Sequence, residues 1–250
     1  MHHTALVNGK QFHDVYVRDM PGDRLRVLEI GSQDVNGSLR QFYGPRFEYV
    51  GVDFAAAKGV DVVLSDPYSL PFDDASADVV LSNSCLEHSE MFWLVVLEAL
   101  RVLRPHGLLY LNVPSNGEFH RYPVDCWRFY PDSGQAMVNW ARRNGMRPLL
   151  LESFIGEQVR DVWNDMIIVV VKDEANAALY PQRMHTTRPD ASNVRVMGMT
   201  DVQRLQPAPE DKRRLYAIRR VLSDTASPQR TDAEKLALIE RIASGAVKVR

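Results

Sequence analysis

The chain has 250 residues, of which 45% are hydrophobic and 25% are charged, and its formal net charge is −2. These fractions are average for soluble globular proteins, so they exclude a disordered, collagen-like or coiled-coil chain. No apolar stretch approaches the roughly 20 residues of a membrane helix, and the first residues lack the features of a secretory signal. The two cysteines, Cys85 and Cys126, are too few for a disulfide framework or a zinc site. The sequence therefore predicts a soluble, cytoplasmic protein.

Charge is distributed unevenly along the chain. Residues 174–250 hold 14 Lys or Arg against 9 Asp or Glu, so this segment carries +5 and residues 1–173 carry −7. An acidic main body disfavours general nucleic-acid binding, because that affinity depends on cationic contacts to phosphate. The basic residues of the tail alternate with Leu215, Ile218 and Leu222 at helical spacing, which is typical of a solvated helix face. We therefore expect no nucleic-acid partner.

From residue 24 onward, apolar runs of strand length alternate with amphipathic helical stretches. The predicted strands are residues 25–30, 47–52, 60–64, 77–81, 108–113, 149–154 and 166–171. Helices are predicted over residues 89–103, capped by Ser89, and over residues 132–144. Such alternation predicts a doubly wound α/β domain with a mainly parallel sheet. The last two strands have no helix between them, which favours an antiparallel edge pair.

After residue 172 the alternation stops. Residues 173–208 have no sustained period and are predicted to be an extended connection. Two helices should follow: one begins near Pro209, and the other begins with the capping box of Thr231 and Glu234 and ends at Gly245. Each has an apolar stripe that needs burial on the main domain or on a second subunit, so a homo-oligomer is one expectation. The chain thus divides into an N-terminal segment (1–23), a main domain (24–172), the connection (173–208) and a helical extension (209–250).

A ligand site is predicted where the first two strands end. Residues 27–37 read VLEIGSQDVNG, which indicates a strand, a glycine turn and the start of a helix. The second strand ends at Asp53, whose carboxylate can accept hydrogen bonds from both hydroxyls of a ribose. In open α/β sheets, ligands bind at the carboxyl ends of the parallel strands. Two cofactors compete for this position, a nicotinamide dinucleotide and S-adenosylmethionine.

The spacing of the glycines favours S-adenosylmethionine. A dinucleotide needs G-x-G-x-x-G, so that backbone amides can approach its pyrophosphate. Here Gln33 and Val35 stand between Gly31 and Gly37, where further glycines should be. S-adenosylmethionine carries no phosphate, so it places a looser demand on glycine. Glu29, beside the turn, can also attract the cationic amino-acid end of that cofactor.

Five short motifs in order resemble those of class I S-adenosylmethionine-dependent methyltransferases of the small-molecule branch. They are residues 27–37, 51–53 (GVD), 65–72 (SDPYSLPF), 78–88 (DVVLSNSCLEH) and 102–107 (VLRPHG). The resemblance covers about residues 24–172 and implies a Rossmann-like sheet, S-adenosylmethionine as cofactor and methyl transfer as the activity. One subset, linked to cell-surface glycan or natural-product biosynthesis, is similar in its D-V-N-G loop and in a motif like residues 120–129.

The resemblance also implies which residues bind the cofactor. The matched positions are Glu29, Gly31, Ser32, Gly37, Asp53, Phe54, Asp66, Pro67, Asn83 and Ser84. Those up to residue 37 would hold the methionine part. Asp53 would bind the ribose with Phe54 against the adenine, and Asp66 and Pro67 would form the adenine pocket. The last two would lie beneath the cofactor, at the end of the fourth strand.

The loop after the fifth strand, residues 116–130, is the predicted acceptor pocket, and it contains an aromatic segment. Residues 119–130, FHRYPVDCWRFY, hold five aromatic residues in twelve. Tyr122 and Trp127 could offer flat apolar surfaces to a sugar ring. Arg121 and Arg128 could hold a phosphate or carboxylate of a carrier-linked substrate. The alternative is a hydrophobic lid in which Arg128 is paired with an acid.

Two histidines are candidates for the general base. A histidine titrates near pH ~6.5 when unperturbed, so it can accept a hydroxyl proton. His120 is favoured, with Asp125 as its orienting partner, and His88, after the fourth strand, is the alternative. Either could instead be a structural residue, and Glu87 is interpreted as a local helix cap. No compact cluster of metal ligands is evident, so no metal site is assigned.

Together these features predict an enzyme. The expected reaction is a direct transfer of the methyl group from S-adenosylmethionine to a hydroxyl of a small molecule, such as a sugar or glycan precursor. Orientation of the two reactants would supply most of the rate enhancement. Two alternatives stay open: methylation of another small molecule on nitrogen or carbon, and a non-catalytic binding or scaffold protein of the same fold.

Overall fold

The computed structural model describes residues 2–159, 163–223 and 230–248. Within them eight strands form one sheet in the order β3-β2-β1-β4-β5-β7-β6-β8. The strands are β1 (Leu25–Ile30), β2 (Phe47–Asp53), β3 (Val62–Val63), β4 (Ala77–Asn83), β5 (Leu103–Pro114), β6 (Leu149–Ile155), β7 (Asp165–Val171) and β8 (Ser192–Val196). The first five are parallel, and β7, β6 and β8 add antiparallel strands at one side. The predicted fold class is thereby confirmed.

Five α-helices belong to the described residues. They are α1 (His3–Phe12), α2 (Phe92–Val102), α3 (Ser133–Arg143), α4 (Glu210–Ser223) and α5 (Asp232–Ala243). Helices cover both faces of the sheet because its central strands are apolar on both sides. On one face Val80 of β4 packs in a core with Val96 of α2 and Val138 of α3. On the other face Val79 packs in a core with Phe12 of α1.

The register of the parallel strands brings their carboxyl ends to one edge of the sheet. Ile30, the last residue of β1, lies opposite Val52 of β2 on one side and Ser82 of β4 on the other. Residues 31, 53 and 83 therefore leave the sheet side by side. We call this region the carboxyl edge.

The helix predicted to start after the glycine turn is absent, and that prediction is wrong. Residues 31–38 form a loop that leads into a single 3₁₀ turn at Leu39–Phe42. The Asp34 carboxylate accepts a hydrogen bond from the Gly37 amide at 2.8 Å, and Gly37 has φ +108°, which no right-handed helix allows. α1, which the sequence analysis placed in an unassigned N-terminal segment, packs here instead, with Gly9 against Leu39.

Two further boundaries differ from the sequence-based expectation. Ser89 does not cap α2, because it ends the 3₁₀ turn Leu86–His88 and α2 begins three residues later. The segment 173–208, expected to be an extended connection, contains two 3₁₀ turns and β8, the edge strand beyond the antiparallel pair. The buried carboxylate of Glu152 anchors this segment, since it accepts hydrogen bonds from Tyr16 Oη at 2.6 Å and from the Met184 amide at 2.6 Å.

The two C-terminal helices form where the sequence predicts them. The capping box between Thr231 and Glu234 is present. α4 and α5 pack on each other, and Glu210 at the start of α4 accepts hydrogen bonds from the Gln158 amide and the Asn164 side chain. Among the described residues, no helix combines the length and the apolar character needed to cross a bilayer.

Candidate active site

The glycine turn begins with a contact that only glycine permits. Gly31 has φ +78°, and a Cβ at this position would lie 2.5 Å from the Cβ and Sγ atoms of Cys85. The amides of Gly31 and Ser32 donate hydrogen bonds to the Val52 carbonyl at 3.0 and 3.2 Å. The turn is thus held between the end of β2 and the residues that follow β4. Burial raises the pKa of the Cys85 thiol to about 12, so this cysteine is a packing residue and not a nucleophile.

The rest of the turn, residues 33–37, is held by the side chain of Asp34. Besides binding the Gly37 amide, Asp34 forms an ion pair with Lys58 at 2.6 Å, and this hydrogen bond lowers the pKa of the carboxyl. The Asp34 amide also donates to the Lys58 carbonyl at 2.8 Å. The D-V-N-G loop therefore has a defined geometry although no glycine stands between Gly31 and Gly37.

Glu29 is a buried carboxyl group one residue before the end of β1. It is 2% exposed and accepts a hydrogen bond from Tyr49 Oη at 2.7 Å. Burial raises its pKa to about 7, although the Tyr49 hydrogen bond acts in the opposite direction. A cationic group near Glu29 would restore the ionised form.

The residues matched to the nucleoside part of the cofactor lie at the end of β2 and after β3. Asp53 ends β2, and its Oδ1 atom accepts a hydrogen bond from the Ala55 amide at 3.3 Å. Phe54 is 54% exposed, which leaves an aromatic face open beside that carboxylate. Asp66 caps a turn by accepting from the Tyr68 amide at 2.9 Å, and Pro67 is exposed within the turn. Asp66 thus has a structural contact of its own.

Several buried polar atoms at the carboxyl edge have no hydrogen-bond partner in the part of the chain that the structure describes. They include Ser32 Oγ after β1, both side-chain amide atoms of Asn83 at the end of β4, and Ser84 Oγ next to it. Ser84 also has φ +50°, an uncommon conformation for a residue other than glycine. Buried polar groups are nearly always hydrogen-bonded, so such a group is either costly or reserved for a ligand.

The predicted acceptor loop, residues 116–130, is held by an internal ion pair. Arg128 donates two hydrogen bonds to the Asp125 carboxylate, at 2.6 and 2.8 Å, and a third to the Glu118 carbonyl at 2.6 Å. The Arg128 guanidinium lowers the pKa of Asp125 to about 2. Arg128 therefore anchors the loop, as the alternative interpretation of this segment stated, and both of its terminal nitrogens are engaged within the protein.

The other three loop residues assigned to the substrate differ in accessibility. The Trp127 indole donates to the Ser89 carbonyl at 2.8 Å and packs edge-on against Phe92, so it belongs to the core beside α2. Tyr122 is 53% exposed, and Arg121 is exposed with its Nε atom donating to the Pro123 carbonyl. Only Arg121 and Tyr122 of the four stand open to a substrate.

The two candidate bases lie against each other. The ring centres of His88 and His120 are 4.8 Å apart in an edge-on arrangement. His88 is largely buried, its Nδ1 bonds the Val124 carbonyl, and burial lowers its pKa. The His120 side chain is 41% exposed. Asp125 accepts a hydrogen bond from the His120 amide at 2.7 Å, whereas its distance to His120 Nδ1 is 3.5 Å, so it orients the loop backbone first.

Glu87 is the group whose importance the sequence did not reveal. Its side chain is buried beside His88, with Oε1 3.8 Å from His88 Nε2, and burial raises its pKa to about 8. Its carbonyl accepts hydrogen bonds from the Cys126 and Trp127 amides, which joins the turn after β4 to the acceptor loop. Helix capping, the role inferred from sequence, explains neither contact.

Polar residues of α1 reach the same region from the opposite face. Asn8 donates to Asn112 Oδ1 at 2.9 Å, and Thr4 donates to Asp165 Oδ2 at 2.6 Å. Trp163 stacks with His2 and meets His120 edge-on at 4.9 Å. Nothing in the local sequence identifies these contacts, since each joins segments more than 100 residues apart or, for Trp163 and His120, separate loops.

A polar cavity of about 850 Å³ lies beside the acceptor loop. Asn116 and Tyr130, near the two ends of the loop, line the cavity together with Arg195, Arg204 and Glu210. The cavity is large enough for a sugar-sized ligand.

Comparison with known proteins agrees with this architecture. Residues 34–111 match the family described as "Methyltransferase domain". An uncharacterized methyltransferase of Mycobacterium sp. (strain JLS) is 33% identical over 139 residues, which are 51% of this chain and 54% of the relative. A phthiotriol/phenolphthiotriol dimycocerosates methyltransferase 1 of Mycobacterium ulcerans (strain Agy99) is 39% identical over 117 residues, 40% of this chain and 42% of the relative. The chain thus spans about half the length of these curated relatives, or less.

Two solved structures share the fold at low sequence identity. A Burkholderia thailandensis 1,6-didemethyltoxoflavin-N1-methyltransferase with bound S-adenosylhomocysteine has a TM-score of 0.51 and 15% identity, covering 68% of this chain and 79% of its own. The 4+2 cyclase SpnF has a TM-score of 0.50 and 14% identity, covering 67% and 81%. These two structures show that the chain has the class I fold. Together with the match of residues 34–111, they agree with the resemblance inferred from the motifs.

The raised pKa of Glu29 predicts a pH-dependent effect of Glu29→Gln on stability. The pKa of Glu29 is about 7 in the folded protein and near 4.5 in the unfolded chain. Between these two pH values the folded wild-type protein therefore binds more protons than the unfolded chain does. The folded wild-type protein therefore loses stability as the pH rises from about 4.5 through 7, because the buried Glu29 carboxyl group must then ionise. Gln does not titrate, so between pH 5 and 8 the free energy of unfolding of the variant should rise relative to that of wild type by roughly 3 kcal/mol. This corresponds to a relative increase in Tm of roughly 5–10 °C.

The measurement is Tm by calorimetry at several pH values without added ligand. Glu48→Gln is the control, because hydrogen bonding to Arg26 lowers the pKa of Glu48 and leaves it ionised across this range. A Tm difference between Glu29→Gln and wild type that stays constant from pH 5 to 8 contradicts the assignment.

Proposed function

We propose that the chain is an S-adenosylmethionine-dependent methyltransferase that methylates a hydroxyl of a small-molecule acceptor, a sugar or glycan precursor. The observation that carries the proposal is the set of buried, partnerless polar atoms of Ser32, Asn83 and Ser84 at the carboxyl edge. They lie where this fold places a ligand, beside a glycine turn and a strand-end carboxylate.

The residues at this edge fit S-adenosylmethionine. The Asp53 carboxylate would accept the ribose hydroxyls, and the exposed ring of Phe54 would lie against the adenine. Ser32 and Asn83 would give their unused donors and acceptors to the amino-acid end, with Glu29 compensating its positive charge. The cofactor supplies a methyl group activated by a positively charged sulfur. The chain's contribution is to hold that group in line with the acceptor and to exclude water.

The acceptor would approach from the side of His120. This imidazole is accessible and can take the hydroxyl proton while the new bond forms. Arg121 and Tyr122 stand open beside it, and the polar cavity behind the acceptor loop gives room for the rest of a sugar or a carrier-linked glycan. Because Arg128 is engaged by Asp125, Arg121 is the residue we assign to a phosphate or carboxylate of the substrate.

We also propose a location and an assembly. Both cysteines are unpaired, which is compatible with the reducing cytoplasm. The helical extension leaves Leu215, Leu222 and Leu236 each about 60% exposed. Apolar residues of one helix pair left open in this way favour contact with a second copy.

The first prediction from the proposed function concerns cofactor affinity. Asp53→Ala removes the acceptor of two hydrogen bonds to the ribose, which should weaken S-adenosylmethionine and S-adenosylhomocysteine by about tenfold to a hundredfold, or roughly 1.5–3 kcal/mol. Titration calorimetry measures both affinities, and Asp19→Ala, an exposed carboxylate near the end of α1, should leave them unchanged. Saturable binding of a nicotinamide dinucleotide, with no heat from either adenosyl ligand, would overturn the proposed function.

The second prediction concerns turnover. His120→Ala should lower the rate of S-adenosylhomocysteine release by ~10²–10⁴, with cofactor affinity nearly unchanged, because general-base assistance is worth that much. Acceptors are supplied as a panel of sugars and nucleotide sugars. His106→Ala is the matched control: it is 40% exposed and also lies beside a carboxylate, Asp78, but at the other end of β5. If His120→Ala keeps full activity while His88→Ala loses it, the base is His88.

The third prediction concerns assembly. Light scattering should give wild type twice the chain mass of 28.4 kDa, and Leu215→Glu with Leu222→Glu should return it to 28.4 kDa. Leu179→Glu, at a leucine that is 62% exposed in the segment 173–208, should leave the dimer intact. A wild-type mass of 28.4 kDa at all concentrations removes the oligomer from the account.

A further inference from the structure

We propose that Glu87, His88 and His120 bind a divalent transition-metal ion at the border between the cofactor site and the acceptor loop. One ligand atom from each of the three side chains lies within 4.8 Å of the others. The site itself stands on geometry alone, whereas the role of the ion in catalysis rests on the proposed function.

The three ligands come from two segments that the fold holds together. Glu87 and His88 belong to the 3₁₀ turn directly after β4, and His120 belongs to the acceptor loop. The Glu87 carbonyl fastens that loop by accepting the Cys126 amide at 2.7 Å. Zinc lies about 2.0–2.2 Å from nitrogen and carboxylate ligands, so two ligand atoms of a tetrahedral ion are about 3.4 Å apart. Metal binding would therefore require side-chain rotations that bring the most distant pair closer by about 1.4 Å.

Hydrogen bonding fixes which nitrogen of each histidine can bind an ion. His88 Nδ1 bonds the Val124 carbonyl, and His120 Nδ1 lies 3.2 Å from the Glu118 carbonyl. A carbonyl oxygen only accepts, so each neutral ring carries its proton on Nδ1 and keeps a lone pair on Nε2. Metal-binding histidines are typically oriented in this way, through a hydrogen bond from the other ring nitrogen to a carbonyl or carboxylate.

Glu87 supplies the independent observation that points to a ligand. Its side chain is 2% exposed, and its Oε2 atom has no hydrogen-bond partner among the described residues. Its Oε1 atom lies 3.8 Å from His88 Nε2, which by the preceding argument carries no proton. A buried carboxylate oxygen without a partner is strongly disfavoured, and buried charges are generally paired or coordinate metals.

The ligand set indicates the kind of metal. Two imidazoles and one carboxylate suit zinc, manganese, iron or cobalt, whereas magnesium and calcium prefer all-oxygen sites. Three protein ligands leave coordination positions open, as in catalytic metal sites. The His120 side chain is 41% exposed, so an acceptor would reach the ion from this side.

In the proposed reaction, the ion accepts the acceptor's hydroxyl oxygen at an open position and lowers the pKa of that hydroxyl. The hydroxyl proton passes to solvent water. The oxygen then forms a bond to the methyl carbon as the carbon–sulfur bond breaks, and the sulfur keeps the electron pair of that bond. His120 is still required under this proposal, but as a metal ligand instead of a base.

In the experiment, chelator-treated protein is titrated with zinc, manganese or cobalt chloride, and with magnesium chloride for comparison. Binding is measured by calorimetry and, for cobalt, also by the visible spectrum. We expect one ion per chain and much weaker binding of magnesium. His120→Ala and Glu87→Gln should each weaken binding at least about tenfold. His106→Ala, the matched histidine beside Asp78 at the far end of β5, should bind as wild type does.

The proposal is overturned if none of the three transition metals binds with one ion per chain. It is also overturned if His120→Ala leaves the metal affinity unchanged. Equal losses in His106→Ala and His120→Ala also overturn it, because they indicate scattered surface binding. If Glu87→Gln fails to fold, His120→Ala decides the question, since that side chain is 41% exposed.

The same samples are titrated with S-adenosylhomocysteine. Cofactor binding without metal binding rejects the metal site and keeps the proposed function. Metal binding without cofactor binding supports the metal site and rejects the proposed function.

Discussion

The close approach of the Gly31 turn to the residues that follow β4 determines the arrangement of the whole site. No side chain fits at Gly31, because Cys85 occupies the space that a Cβ would need. This contact draws the ends of β1 and β4 together and buries the polar side chains on both sides of it, those of Ser32, Asn83 and Ser84. Glu87 and His88 follow within one short turn, so any ligand bound at the carboxyl edge lies next to them.

Charge pairing divides the carboxylates of this region into two groups. Asp34 and Asp125 each have a cation, Lys58 or Arg128, and their pKa values are lowered accordingly. These two hold loops in place. Glu29 and Glu87 are buried, and no cation of the described residues lies within hydrogen-bond distance of either; their pKa values are raised to about 7 and about 8. A cationic ligand or a metal ion would complete the second group, which is why we place ligands there and not at the loop anchors.

The sequence predicted those features that depend on local pattern. Apolar runs bounded by glycine or polar residues predicted the strands, and the order of strands and turns predicted that Gly31 and Asp53 would meet at one edge. The capping box at Thr231 likewise depends on residues four positions apart or fewer. Such signals are complete within a short window of the chain.

The features that the sequence did not reveal depend on distant contacts. α1 takes the place beside the glycine turn where a helix was expected, through Gly9 and Leu39. The sequence left open whether Arg128 binds substrate or pairs with an acid, and the folded loop pairs it with Asp125. Glu87 and His120 lie 33 positions apart in the chain, and only the folded acceptor loop makes them neighbours.

The most direct measurement is a crystal structure of the protein with S-adenosylhomocysteine. The account predicts that the ribose hydroxyls lie within hydrogen-bond distance of the Asp53 carboxylate and the adenine beside Phe54. It also predicts that the side chains of Ser32, Asn83 and Ser84 gain partners from the ligand or from waters that the ligand orders. A ligand bound elsewhere, such as in the polar cavity beside α4, with those atoms still unpartnered, would contradict it.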